Sequence, residues 1–106
     1  MNDIAQRSGK ALALWADGDR AFAGGDNTEA YRLYTEGHDL ITDCPRLHRE
    51  AHVRLRAVNR RTRNWGEYCT DTLLVALAPL GVFELIALAF RSKVAKTDAC
   101  RRAAST

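Results

Sequence analysis

Proline occurs only twice in this chain and glycine seven times, too few to punctuate it into many short segments. No stretch alternates apolar and polar residues with β-branched enrichment, so strands have little support. The opening, Met1-Asn2-Asp3-Ile4-Ala5-Gln6-Arg7, lacks a basic region running into an apolar one, which speaks against a secretory signal. The three cysteines, Cys44, Cys69 and Cys100, are odd in number and match no disulfide framework. Reduced thiols in a cytoplasmic protein are the expectation. Also missing are a Gly-rich phosphate loop, a nucleophile elbow and a carboxylate pair with an evident cleft. The sequence therefore supplies no catalytic residue and no cofactor, and an enzyme is not expected.

What is present is ordinary globular material: 46% apolar and 27% charged residues over 106 positions, enough for one core. An all-α array of about five helices packed as antiparallel hairpins is expected. It would form a single domain over residues 1–94, with a flexible tail over 95–106. The first helix runs from about Asp3 to Ala23 with Ile4, Ala11, Trp15, Gly18 and Phe22 on one stripe. Gly24-Gly25 ends it, and Asp26-Asn27-Thr28-Glu29 reads as a capping box. The second helix, about Asn27 to Thr42, buries Ala30, Tyr34, Gly37 and Ile41, and turns Arg32, Glu36, Asp39 and Asp43 outward. Cys44-Pro45 breaks the chain. A third helix follows to about Arg63, its seam made of Leu47, Ala51, Leu55, Val58 and Thr62. Asn64-Trp65-Gly66 closes it, and two more helices span about Glu67–Ala78 and Leu80–Lys93.

Residues 11–44 are two helices around a tight turn, 34 residues in all, the length of one tetratricopeptide repeat. With Gly18, Gly24-Gly25-Asp26, Ala30, Tyr34 and Gly37 at corresponding places, this stretch resembles that family. Trp15 sits one position off the usual tryptophan and Pro45 comes late. Residues 46–78 resemble a second, degenerate hairpin with Asn64-Trp65-Gly66-Glu67-Tyr68 at its turn, so the likeness covers residues 11–78. It implies a protein–protein interaction module whose core would include Trp15, Phe22, Tyr34, Leu55 and Trp65.

Charge is distributed in blocks. Residues 1–44 carry four bases and eight acids, whereas residues 45–66 carry seven arginines against Glu50 alone. On a helical wheel Arg46, Arg49, Arg56, Arg60 and Arg63 lie opposite the apolar seam, and so many like charges require an anionic counterpart. Glu36, Asp39 and Asp43 of the second helix could supply it internally. Otherwise this face is the recognition surface for a protein partner with an acidic surface, since a planar guanidinium suits carboxylate and phosphate alike. Nucleic acid is disfavoured by the small net charge of +3 and the lack of a helix-turn-helix signature.

Residues 73–90 hold a single charge, Glu84, over a length at the lower limit for crossing a bilayer. A membrane-attached protein anchored there is the alternative. A central acid costs about 3 kcal/mol on insertion, however, and Pro79 and Gly81 fit a loop between two buried helices better. An all-round apolar helix also suits a dimer interface, so a homodimer is a further expectation. Finally, Cys44, His48 and His52 are spaced i, i+4, i+8, with residue types that ligate zinc. Pro45 interrupts that register and only Asp43 or His38 stands near as a fourth ligand. A small anionic-ligand or metal-binding protein is therefore the third reading, and no metal is assigned.

Overall fold

A computed structural model of the protein describes residues 4–90, and all of its regular structure there is helical: α1 (Ile4–Ala23), α2 (Asn27–Leu40), α3 (Pro45–Arg61), α4 (Trp65–Leu77), a single 3₁₀ turn (Ala78–Leu80) and α5 (Val82–Phe90). The proposed tail over 95–106 and the end of the last helix at Lys93 lie outside the described residues.

α1 and α2 form an antiparallel pair whose register is fixed by small residues. A Cβ on Gly18 would stand 2.7 Å from Tyr34 Cε1, and one on Gly37 would stand 2.8 Å from Trp15 Cδ1. Each glycine is thus the socket for an aromatic of the opposite helix. Trp15 Nε1 also donates to the Tyr34 carbonyl at 3.2 Å, and the Tyr34 hydroxyl donates to Asp19 at 2.7 Å. At the open end of the pair Arg7 grips Asp43 through two bonds of 2.8 and 2.9 Å and donates to the Leu40 carbonyl. Asp43 is therefore buried and engaged, rather than part of an outward acidic face.

The turn between the helices needs Gly25 at φ 84°, a conformation that a side chain would strain. Asp26 then caps α2, its carboxylate accepting from the Glu29 amide at 3.1 Å. The reciprocal half of the expected capping box does not form. Glu29 turns outward to Arg32 instead, where two charge-assisted bonds of 2.8 Å replace one neutral bond.

α3 starts with Pro45 at its first turn, where the missing N–H costs nothing. Its seam of Leu47, Ala51, Leu55 and Val58 closes a single core with Ile4, Ala11, Trp15, Ala30, Tyr34, Ile41 and Cys44. Thr62, expected to continue that seam, is exposed and caps the helix with bonds to the Val58 and Asn59 carbonyls. The turn out of α3 comes earlier than expected. Arg63 takes φ 61°, Asn64 precedes the first turn, and Trp65 already belongs to α4. Trp65 is consequently 54% exposed rather than core, touching Tyr68 edge-on at 5.5 Å.

α4 runs antiparallel to α3, with His52 against Asp71, Arg56 against Tyr68 and Thr72, and Asn59 against Asp71. The chain then breaks at Pro79 and at Gly81, whose φ is 91°. Among the described residues no single helix is long and apolar enough to cross a membrane. The segments Trp65–Leu80 and Val82–Ala89 pass that test only as a pair, bent by 97°. α5 returns onto α3, and it buries Phe83 and Ala87. The two helices around the break are not sealed inside, however. Leu73, Leu80, Leu85 and Leu88 are each more than half exposed, because no further layer packs over them among the described residues.

Candidate functional site

Apart from Arg63, α3 carries the arginines and two of the histidines singled out from the sequence. Its apolar seam faces α1 and α2, its far side carries the arginines, and its flank carries two histidines one turn apart. All three follow from the same 3.6-residue period.

The five arginines singled out from the sequence do not share one fate. Arg46, Arg49, Arg60 and Arg63 are exposed. Arg56 is half-buried and folded against α4, where its Nε donates to Thr72 at 2.9 Å, its Nη2 to the Tyr68 hydroxyl at 3.0 Å, and its guanidinium lies 5.0 Å from the Tyr68 ring. Arg49 reaches only its chain neighbour Glu50, at 3.3 Å. The acids expected to neutralise this face are occupied elsewhere. Glu36 pairs with Arg32, Asp39 with His38, and Asp43 with Arg7. Two further arginines of α3 are committed as well. Arg54 lies 5.0 Å over the Trp15 ring and 3.4 Å from Asp19, and Arg61 covers the Phe22 ring at 3.5 Å while donating to Asn27 and the Phe22 carbonyl. Arg56, Arg60 and Arg61 border a surface hollow of about 440 Å³ whose remaining wall is Phe22 and Ala57. The hollow thus presents cationic planes beside an aromatic one.

The flank of α3 holds a second constellation. His48 and His52 meet His38 of α2. The Nε2 of His48 is 2.9 Å from that of His38 and 3.2 Å from that of His52. The ring centroids stand 4.7, 4.9 and 5.0 Å apart. Asp71 of α4 is buried and takes His52 Nδ1 at 2.6 Å on one oxygen and Asn59 Nδ2 at 2.8 Å on the other. Asp39 lies 3.0 Å from His38 Nδ1. Phe83 covers one side, its ring 5.0 Å from that of His48 and 5.9 Å from that of His52. On the other side a cleft of about 270 Å³ opens between α2, α3 and α4, bordered by His38, His52, Asp71, Tyr31 and Glu67. Burial, followed by the neighbouring His38 and His52, pushes the His48 imidazole down to about 3, so it is neutral across the physiological range.

The candidate ligand set from the sequence is corrected at one position. Cys44 does not join His48 and His52. The backbone is extended there, just before α3, so the i, i+4, i+8 register fails, and the side chain is wholly buried and disulfide-bonded. The expectation of reduced thiols therefore fails at Cys44 and holds at Cys69, which is free and exposed. His38 takes the place of Cys44 beside the other two histidines. Asp71 and Asn59 carried no local signal, because only the pairing of α3 with α4 brings them in.

No protein-family model matches the chain, and no curated protein or solved structure does so either. The likeness of residues 11–78 to tetratricopeptide hairpins is thus a likeness of residues and spacing. What the described residues define by themselves is an all-α arrangement of five α-helices.

Proposed function

We propose that this chain is a non-catalytic helical interaction module that binds a protein partner with an acidic surface through the outward arginines of α3. The observation that carries the reading is the fate of the acids: Glu36, Asp39 and Asp43 each serve another partner. The like charges of Arg46, Arg49, Arg60 and Arg63 therefore face solvent with Glu50 as the nearest relief. A solvated stripe of one sign accelerates encounter with a complementary surface and orients it, and the effect weakens as salt shortens the screening length from ~10 Å at 0.1 M. Arg56 acts differently. Its bonds to Tyr68 and Thr72 hold α4 in place, so it shapes the wall of the hollow rather than reaching outward.

The test is a pull-down at low and high salt with wild type and with Arg46→Glu, Arg49→Glu and Arg60→Glu combined, folding being followed by circular dichroism. Salt-sensitive capture of acidic proteins by the wild type, lost in a folded triple variant, is the expected result. Equal capture by both would remove the arginine face from the function.

A second reading rests on the exposed leucines of α4 and α5. Leu73, Leu85 and Leu88 give this half of the chain an apolar outer face of the kind that marks self-association or membrane attachment. Light scattering reports a homodimer, and extraction with alkaline carbonate separates a membrane-attached chain from one that is not.

A further inference from the structure

The geometry points to a divalent transition-metal site, with zinc as the fitting ion, built from the Nε2 atoms of His38, His48 and His52 and oriented by Asp71. It is independent of the arginine face. Its basis is a proton count that three neutral rings cannot satisfy among themselves. In the neutral form of each ring, with Asp71 accepting from His52 Nδ1 and Asp39 from His38 Nδ1, a lone pair is left on Nε2 of both. Both lone pairs face His48 Nε2. With a proton on that nitrogen, His48 can serve only one of them fully. With the proton on Nδ1 instead, three lone pairs converge, and the buried Nδ1 has no hydrogen-bond partner among the described residues. In that second tautomer a cation placed between the rings accepts all three lone pairs and resolves the conflict at Nε2.

Three further features fit a metal. Tetrahedral zinc with Zn–N bonds of 2.0–2.1 Å sets its nitrogens about 3.3 Å apart. Two of the observed separations are 2.9 and 3.2 Å, and all three ligand atoms lie within 4.8 Å of one another. Asp71, itself held by Asn59, is the carboxylate that commonly sits behind a metal-bound imidazole, where it fixes the tautomer and raises basicity. The ligands also come from two helices already locked together by the core, with His48 and His52 one turn apart on α3, so the chain supplies the site preorganised. Three protein ligands leave one coordination position, and the cleft beside His38, His52 and Glu67 is where an outside ligand or water would enter.

The experiment uses the full chain, stripped with a chelator and dialysed, and titrated with zinc by calorimetry and with cobalt by visible absorption. Saturation at about one ion per chain with an intense tetrahedral cobalt spectrum is expected. Thermal melting should shift upward by about 10 °C when zinc is a hundredfold above its dissociation constant. Asp71→Asn should weaken zinc binding by about 10–100-fold. His38→Ala, at a partly exposed position, should weaken it further, while Cys69→Ser should leave it unchanged. A wild type that neither binds zinc saturably nor gains stability from it would show the trio to be a hydrogen-bonded cluster and overturn the site. Equal affinity in wild type and His38→Ala, or loss of binding in Cys69→Ser, would do the same.

Discussion

The Trp15 indole occupies the place where a Cβ on Gly37 would stand, with Cδ1 only 2.8 Å from that point. Trp15 is buried to within 1% and its nitrogen is tied to the Tyr34 carbonyl, so it cannot retreat. Gly37→Ala should therefore destabilise the protein by roughly 1–3 kcal/mol through overpacking, even though alanine is the better helix former by about 1 kcal/mol. Gly9 makes the comparison clean. It lies in the exposed middle of α1 with nothing within 4 Å of its missing Cβ, so Gly9→Ala should stabilise by up to about 1 kcal/mol. Denaturant unfolding of the two variants should give shifts of opposite sign.

Tyr34 makes the same helix pair sensitive to alkali. Burial, then the hydrogen bond to Asp19, hold its hydroxyl well above the ordinary tyrosine value. The unfolded chain loses this proton near pH 10 while the folded chain keeps it, so the unfolded state binds fewer protons above that pH and stability falls as pH rises. The slope from one such group approaches about 1.4 kcal/mol per pH unit. Tyr34→Phe should flatten the decline above pH 10 relative to wild type while costing about 1 kcal/mol at neutral pH for the lost hydrogen bond. Parallel slopes for the two proteins would place the alkaline sensitivity elsewhere, for instance at Tyr31, whose hydroxyl is raised by its bond to Glu67.

Helices were legible in the sequence because each carries an apolar stripe at the helical period, and Gly25, Pro45, Pro79 and Gly81 punctuate them. The end of α3 was not. Asn64-Trp65-Gly66 looks like the turn because it contains the glycine, yet the left-handed residue is Arg63, and no local rule places an arginine there. The arginine face was readable, since one helix carries it all. Its relation to the acids was readable only in part, because Arg32 meets Glu36 one turn away on α2 and His38 adjoins Asp39, whereas Arg7 claims Asp43 only through tertiary placement. The histidine cluster was half readable. His48 and His52 are a turn apart, but His38 joins them only once α2 packs on α3, and the apparent continuity from Cys44 is broken by the extended backbone before Pro45.

Arg63 itself carries a prediction. A non-glycine residue in the left-handed region costs roughly 1–2 kcal/mol, and here the side chain is exposed, with no partner to offset the strain among the described residues. Arg63→Gly should relieve part of that strain and stabilise the protein by up to about 1 kcal/mol. It should also remove one charge from the proposed recognition face, so that binding of an acidic partner weakens while the melting temperature rises. A variant that loses stability would mean that the arginine side chain makes a favourable contact outweighing its backbone cost.

Phe83 decides whether α5 stays in place. It is 1% exposed and lies across His48 and His52, whereas Leu85 and Leu88 of the same helix point away. Ala87 is the only other buried side chain that the described part of α5 contributes, and an alanine holds little by itself. Deleting a buried phenylalanine costs about 3–5 kcal/mol. A nine-residue helix held by one ring has a local opening free energy below that of the α1–α3 core. Phe83→Ala should therefore release α5 without unfolding the rest. Hydrogen exchange would show lost protection across residues 82–90 and retained protection in α1, α2 and the seam of α3. Uniform loss of protection would instead make Phe83 part of the cooperative core, with the histidine flank serving as a continuation of that core rather than its edge.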